Sequence, residues 1–126
     1  MGVSRMIVAG FGFNTAADAA ALRAALAAAQ QGLPPVEALA APDDKQGLPR
    51  EIAALLGLPL ITVDPAALIA ASPVTRSPAS LAVRGTGSVA EAAALAGAGP
   101  GARLLTLRHI SPCRRATCAI AQGFRP

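Results

Sequence analysis

The sequence predicts an α/β layered fold with a largely parallel sheet. Short apolar runs of strand length alternate with alanine- and leucine-rich stretches at helical spacing. The helical stretches are punctuated by capping residues and prolines at their starts and by glycines at their ends. No repeat of fixed period and no internal linker interrupts that alternation.

Arg5–Gly10 is a short apolar run ending in glycine and reads as a buried strand. Thr15–Gln31 follows as a helix, opened by the capping-box-like pair Thr15-x-x-Asp18 and closed by Gly32, with Pro34 and Pro35 beyond. Leu22 and Leu26, four residues apart, give it a core-facing stripe. Val36–Ala41 is a weaker second strand, and Asp43–Gly47 a polar connection. Pro49 suits a first helical position, so Glu51–Leu56 completes a short helix that Gly57 stops. Leu60–Val63 is a third strand, and Asp64-Pro65 caps and starts a helix through Ala70. Residues 72–87 hold two prolines, two glycines and several hydroxyls; such a long loop in a small domain points to binding. Ser88–Ala96 is the best helix, with Ser88-x-x-Glu91 as capping box and Gly97 as terminator. Arg103–Arg108 and Ala116–Ala121 are the last two strands.

At 126 residues the chain is expected to form one domain, spanning 1–126. Hydrophobic residues make up 53% and charged residues 14%, with a mean hydropathy of +0.50, which excludes a solvated disordered chain. Much of the apolar content is alanine. No run approaches the ~20 uninterrupted apolar residues of a bilayer span, and Gly10, Gly12 and Asn14 break the only stretch resembling a secretory signal. A soluble, cytoplasmic protein is expected, with no membrane partner.

The net charge is +4 with a pI near 10.5. Nucleic acid is not the expected partner, because one lysine, three Phe and no Trp or Tyr leave almost no stacking platform for bases. The arginines scatter except near the end, at Arg103, Arg108, Arg114, Arg115 and Arg125. Guanidinium forks suit carboxylates and phosphates, so a small polyanion fits better than a duplex; the same arginines also solubilise an alanine-rich surface. Cys113 and Cys118 make no disulfide framework, zinc site or Cys-x-x-Cys pair and read as incidental or buried thiols. No metal and no cofactor are expected.

In α/β folds the ligand crevice lies at the carboxyl ends of the strands. Three segments are expected to converge there. Gly10-Phe11-Gly12-Phe13-Asn14-Thr15 permits close backbone approach and runs into a helix start, though no dinucleotide fingerprint completes. Gly85-Thr86-Gly87-Ser88 offers two glycines and two hydroxyls ahead of a capped helix. Asp43-Asp44-Lys45-Gln46-Gly47 carries the only lysine. No catalytic set is assigned: His109 stands alone and reads as a hydrogen-bonded structural residue, and Glu91 as a helix cap, with a general-base role for Glu91 or a neighbouring aspartate left open.

Taken in order, Gly10-Phe11-Gly12 with Thr15, Lys45-Gln46-Gly47-Leu48, Ser80, Thr86-Gly87-Ser88-Val89-Ala90-Glu91-Ala92-Ala93-Ala94-Leu95 and Ala116-Thr117-Cys118-Ala119-Ile120-Ala121 resemble the CobE family. These are stand-alone relatives of the CbiG carboxy-terminal domain in cobalamin biosynthesis. The resemblance implies a three-layer α/β/α domain with a largely parallel or mixed central sheet, acting in corrin ring construction by the oxygen-dependent route. It implies a corrin or precorrin ligand, a flat apolar macrocycle ringed by carboxylates, and other pathway enzymes as partners. Gly10, Gly12, Asn14, Thr15, Lys45, Ser80, Thr86, Gly87, Ser88, Glu91, Arg108 and Thr117 are the residues expected to meet it. Phe11 or Phe13 would supply part of an apolar floor, and Arg76, Arg84 and Arg108 would pair carboxylates.

The family's glycine turn often continues with Cys-Arg where Phe13-Asn14 stands here, so thiol or arginine chemistry is not carried over to that turn. CbiG-like proteins open the ring-A lactone of a cobalt-precorrin, cobalt-precorrin-5A or a related precursor, with the help of an amino-terminal domain that has no counterpart in these residues. The alternative expectations are an enzyme of that hydrolase kind and, apart from the resemblance, a small phosphate- or nucleotide-binding module.

Overall fold

Alternation of side chains along one central strand divides the molecule into layers. The computed structural model describes residues 4–70, 89–99 and 101–125. Its elements are β1 (Ser4–Phe13), α1 (Ala19–Gln30), β2 (Ala38–Pro42), α2 (Gly47–Leu56), β3 (Leu60–Val63), α3 (Pro65–Ala70), α4 (Val89–Ala98), β4 (Arg103–Ile110) and β5 (Ala116–Arg125). The odd residues Ile7, Ala9 and Phe11 of β1 pack with Leu22 and Leu26 of α1 and Ile52 of α2. The even residues Met6 and Val8 pack with Leu68 of α3 and the alanines of α4. Each sheet face thus has its own helical layer.

The sheet order is β3-β2-β1-β5-β4. β1, β2 and β3 run parallel, whereas β5 is antiparallel to both β1 and β4. The sheet is therefore mixed. The physical reason is the connection between β4 and β5: Ser111–Arg115 is far too short for a parallel crossover and folds as a hairpin turn. Because Phe13 pairs with Ala116 and Ile110 with Thr117, β5 begins where β1 and β4 end. The carboxyl ends of β1 to β4 and this turn all lie along one edge of the sheet.

Several boundaries differ from the sequence reading. Asn14 Oδ1 accepts the Ala16 N–H at 3.0 Å, closing a side-chain turn that keeps Thr15 outside the helix. Asp18 is instead the cap, its Oδ1 accepting the Ala21 N–H at 2.9 Å. Helix α2 starts at Gly47, so Pro49 sits within its first turn, and Gly57 ends it at φ 68° as expected. Asp64 Oδ1 accepts from the Ala67 N–H at 2.7 Å and starts α3 as predicted. β5 extends past Ala121 because Gln122–Arg125 find partners in Ser4–Ile7.

Gly97 does not terminate α4. It lies inside the helix, and Gly99, at φ 95°, follows the end. A Cβ at Gly97 would come 2.8 Å from Ala40 Cβ and 3.3 Å from Val8 Cγ1, so its small size serves packing. Gly10 shows the same constraint more sharply: a Cβ there would overlap the Ala90 carbonyl oxygen and the Ala94 amide nitrogen. Helix α4 lies almost backbone to backbone on β1. The loop expected at 72–87 lies outside the described residues. No helix among the described residues is long and apolar enough to cross a membrane.

Gly10→Ala forces α4 off the sheet and lowers stability by about 3 kcal/mol, the upper range for overpacking. Gly47→Ala, whose added Cβ would meet nothing within 4 Å, holds or raises stability by up to ~1 kcal/mol. Urea unfolding of the two variants checks the contrast.

Candidate functional site at the carboxyl edge of the sheet

Two backbone carbonyls at the end of β1 organise this edge. The Phe13 carbonyl accepts a hydrogen bond from Lys45 Nζ at 2.7 Å, and the same ammonium stands 5.3 Å from the centre of the Phe13 ring. The Gly12 carbonyl accepts from Thr117 Oγ1 at 3.2 Å. Lys45 is set by the turn after β2, where its own N–H donates to Pro42 O at 3.0 Å and Gln46 Nε2 donates to Asp43 O at 2.7 Å. The first and third predicted segments therefore meet, through a lysine placed 32 residues from its acceptor.

The second segment, with Thr86, Gly87 and Ser88, lies outside the described residues, as do Ser80, Arg76 and Arg84. The helix it leads into does reach the edge. A Cβ at Gly12 would lie 2.9 Å from Thr117 Oγ1 and 3.4 Å from both Val89 Cβ and the Ala90 nitrogen. Gly12, Thr117 and the first residues of α4 thus share one face. Ile110 pairs with Thr117 in register and is exposed at its side.

Asn14 and Thr15 are exposed at the rim, and the Asn14 N–H donates to Arg115 O at 3.0 Å. Gly10 and Phe11 do not line the edge. Gly10 is covered by α4, and the fully buried Phe11 points into the α1 layer because odd residues of β1 face that way. Phe13, half-buried at the strand end, is the aromatic residue available there.

Glu91 is fully buried, and its Oε2 accepts the Arg108 N–H at 3.0 Å. The register of β4 shifts between Thr106 and His109, where three steps on β4 match two on β5. A bulge of this kind leaves a backbone group without a ladder partner, and the Glu91 carboxylate takes it. The sequence reading saw a local cap; the bond to a residue 17 positions away carries no local signal. His109 Nε2 lies 2.9 Å from Thr106 Oγ1, the hydrogen-bonded structural role expected of it.

The turn between β4 and β5 was not singled out as part of a site, although Ser-Pro-Cys-Arg-Arg between two strand-like runs is a hairpin signal. Ser111 is buried, its Oγ accepting the Ala116 N–H at 3.2 Å and standing 3.3 Å from Cys113 Sγ. That contact, backbone donors and the nearby Arg115 charge draw the exposed Cys113 thiol below its ordinary pKa. Burial pushes Cys118 the other way. Both cysteines are free.

The geometry can be set beside known proteins. The family model described as Cobalamin synthesis G C-terminus matches residues 7–121. The chain belongs to the CbiG carboxy-terminal family. Its work therefore lies in cobalamin biosynthesis. Among solved structures it is similar to CobE, a protein from the cobalamin (vitamin B12) biosynthetic pathway, at 33% identity and a TM-score of 0.84, covering 97% of this chain and 93% of that one. It is similar to the cobalamin biosynthesis protein ChiG from Agrobacterium tumefaciens str. C58 at 33% identity and a TM-score of 0.70, covering 92% and 97%. A cobalamin biosynthesis protein G homologue from Sulfolobus solfataricus, at 18% identity and a TM-score of 0.71 over 93% of this chain and 36% of that one, shares the fold. No curated protein matches the chain by sequence. The CbiG carboxy-terminal match runs from β1 into β5 and so encloses the whole edge described above.

The two thiols give a direct check of the turn. Cys113 alkylates in the folded protein, with a rate that rises with pH and levels off at lower pH than for an ordinary cysteine, since its thiolate is favoured. Cys118 reacts only on unfolding. Ser111→Ala moves the Cys113 profile to higher pH, as mass spectrometry of quenched reactions would show.

Proposed function

We propose that this chain binds a corrin or precorrin intermediate at the carboxyl edge of its sheet and presents it to a neighbouring enzyme of the pathway. The setting is the oxygen-dependent route, in the cytoplasm, with residues 1–126 acting as one domain. The observation that carries this reading is the Lys45 ammonium bound to the Phe13 carbonyl. It brings a cation, an aromatic ring and the end of the central strand to one place.

A corrin precursor demands two kinds of surface at once. Its carboxylates call for cations, hydroxyls and amide donors, and its macrocycle calls for apolar contact. At this edge Lys45, Asn14, Thr15 and Thr117 supply the first. Phe13 on the α1 side of the sheet edge, and Val89 and Ile110 on the α4 side, supply the second. Glu91 and the Arg108 backbone hold the α4 start against β4, which keeps the two sets in register. Gly10 and Phe11 shape the fold beneath the site and do not touch the ligand. Gly85–Ser88, Ser80, Arg76 and Arg84 belong to the proposal on their place in the sequence.

Visible-absorption titration with a cobalt-free corrin bearing free side-chain carboxylates tests the reading. Retention of the chromophore with a shifted but stable spectrum is expected. Lys45→Ala weakens binding about tenfold, the loss of one charged hydrogen bond. The same variant lowers stability by only ~1 kcal/mol. Turnover of the pigment supports the enzyme reading instead; absence of corrin binding alongside nucleotide binding overturns both.

A further inference from the structure

The hairpin turn Ser111–Arg115 sits beside the proposed site without a role in it so far. Arg114 and Arg115 are both exposed there. Three observations fix where they stand. The Asn14 N–H donates to Arg115 O at 3.0 Å, so the turn is pinned to the loop that leaves β1. Ser111 N donates to Ala116 O at 2.8 Å and Arg114 N to Ser111 O at 2.8 Å, which closes the turn on itself. The buried Ser111 hydroxyl accepts the Ala116 N–H and anchors the turn from below. Such a tip cannot swing away from the rim while these bonds hold.

Arg114 is also the one non-glycine residue at positive φ among the described residues, at 61°. Left-handed backbone is costly for a long side chain, and Asn or Gly adopts it more readily. The Arg114 N–H to Ser111 O bond closes a β-turn, and a left-handed residue at the end of such a turn returns the chain to the hairpin, so the turn sets this φ and holds the backbone of both arginines at the rim.

The geometry points to Arg114 and Arg115 as a carboxylate-pairing subsite, in which two guanidinium groups grip adjacent acidic arms at the periphery of the ligand. This rests on the reading of the edge as a corrin site and adds Arg114 and Arg115 to the carboxylate pairing expected of Arg76, Arg84 and Arg108. Planar guanidinium forks bind carboxylates bidentately and discriminate against amides, which carry no charge and offer only one acceptor oxygen. The subsite therefore selects a precursor whose arms are still free acids over one already amidated.

The test compares two cobalt-free corrins, one with free carboxylates and one fully amidated, against the wild-type chain and the double variant Arg114→Asn, Arg115→Gln. Asn tolerates the left-handed position and the Arg115 carbonyl is retained, so the turn is preserved. The double variant binds the acid corrin at least about tenfold more weakly, and the amidated corrin within about twofold of wild type. In the wild type, the acid corrin slows alkylation of Cys113, the exposed thiol of the same turn. If the wild type binds the acid corrin while the variant binds it equally well and Cys113 labelling is unchanged, the subsite is overturned and the site at Lys45 stands. If the wild type binds neither corrin, the underlying reading falls. Should the double variant fail to fold, the wild-type Cys113 protection decides alone: its absence in a binding-competent chain overturns the subsite.

Discussion

The close approach of α4 to β1 governs the rest of this molecule. Gly10 and Gly97 remove the side chains that would separate helix from sheet, and the alanines of α4 fill what little space remains. Gly123 of β5 does the same at the other end of the helix, where a Cβ would overlap the Ala98 carbonyl oxygen. Dispersion falls off steeply with distance, so a helix seated this deeply gains contacts along its whole length from very small side chains. The consequence for function is positional. The start of α4 is driven onto Gly12 and Thr117, and its Glu91 is driven into the sheet, within reach of the β4 backbone.

That seating explains a charged residue in an otherwise apolar layer. A buried carboxylate is tolerated only where donors meet it. The bulge in β4 supplies one, the Arg108 N–H. Helix and edge strand are thereby tied together at the end where the candidate site lies, while Lys45 ties the β2–α2 turn to the same strand end. The edge is assembled by bonds that cross between elements and end on backbone groups, the Phe13 and Gly12 carbonyls and the Arg108 N–H.

The mixed sheet adds what a purely parallel one would lack. In the parallel half, β1, β2 and β3 bring their carboxyl ends and the following turns to one edge. In the antiparallel half, the β4–β5 hairpin delivers its turn to that same edge, with Cys113, Arg114 and Arg115 exposed upon it. The site thus draws on chain segments from both halves of the sequence.

Local patterns were enough for much of this. The two leucines of α1, the left-handed glycine after α2, Asp64-Pro65 and the run at Leu60–Val63 each state their structure within a few residues, because caps, turns and helical stripes are short-range physics. Order along the chain was also enough to indicate the cobalamin family, since a string of weak motifs becomes specific in sequence. What tertiary structure decided lay beyond that range. It placed Phe11 inside and Phe13 at the rim, although both face the α1 layer, because Phe13 stands at the end of the strand where the covering layer runs out. It made Gly10 and Gly97 packing residues rather than a ligand turn and a helix stop, and it paired Glu91 with Arg108 and Lys45 with Phe13. Those outcomes depend on which elements become neighbours, and adjacency in space is a property of the folded whole.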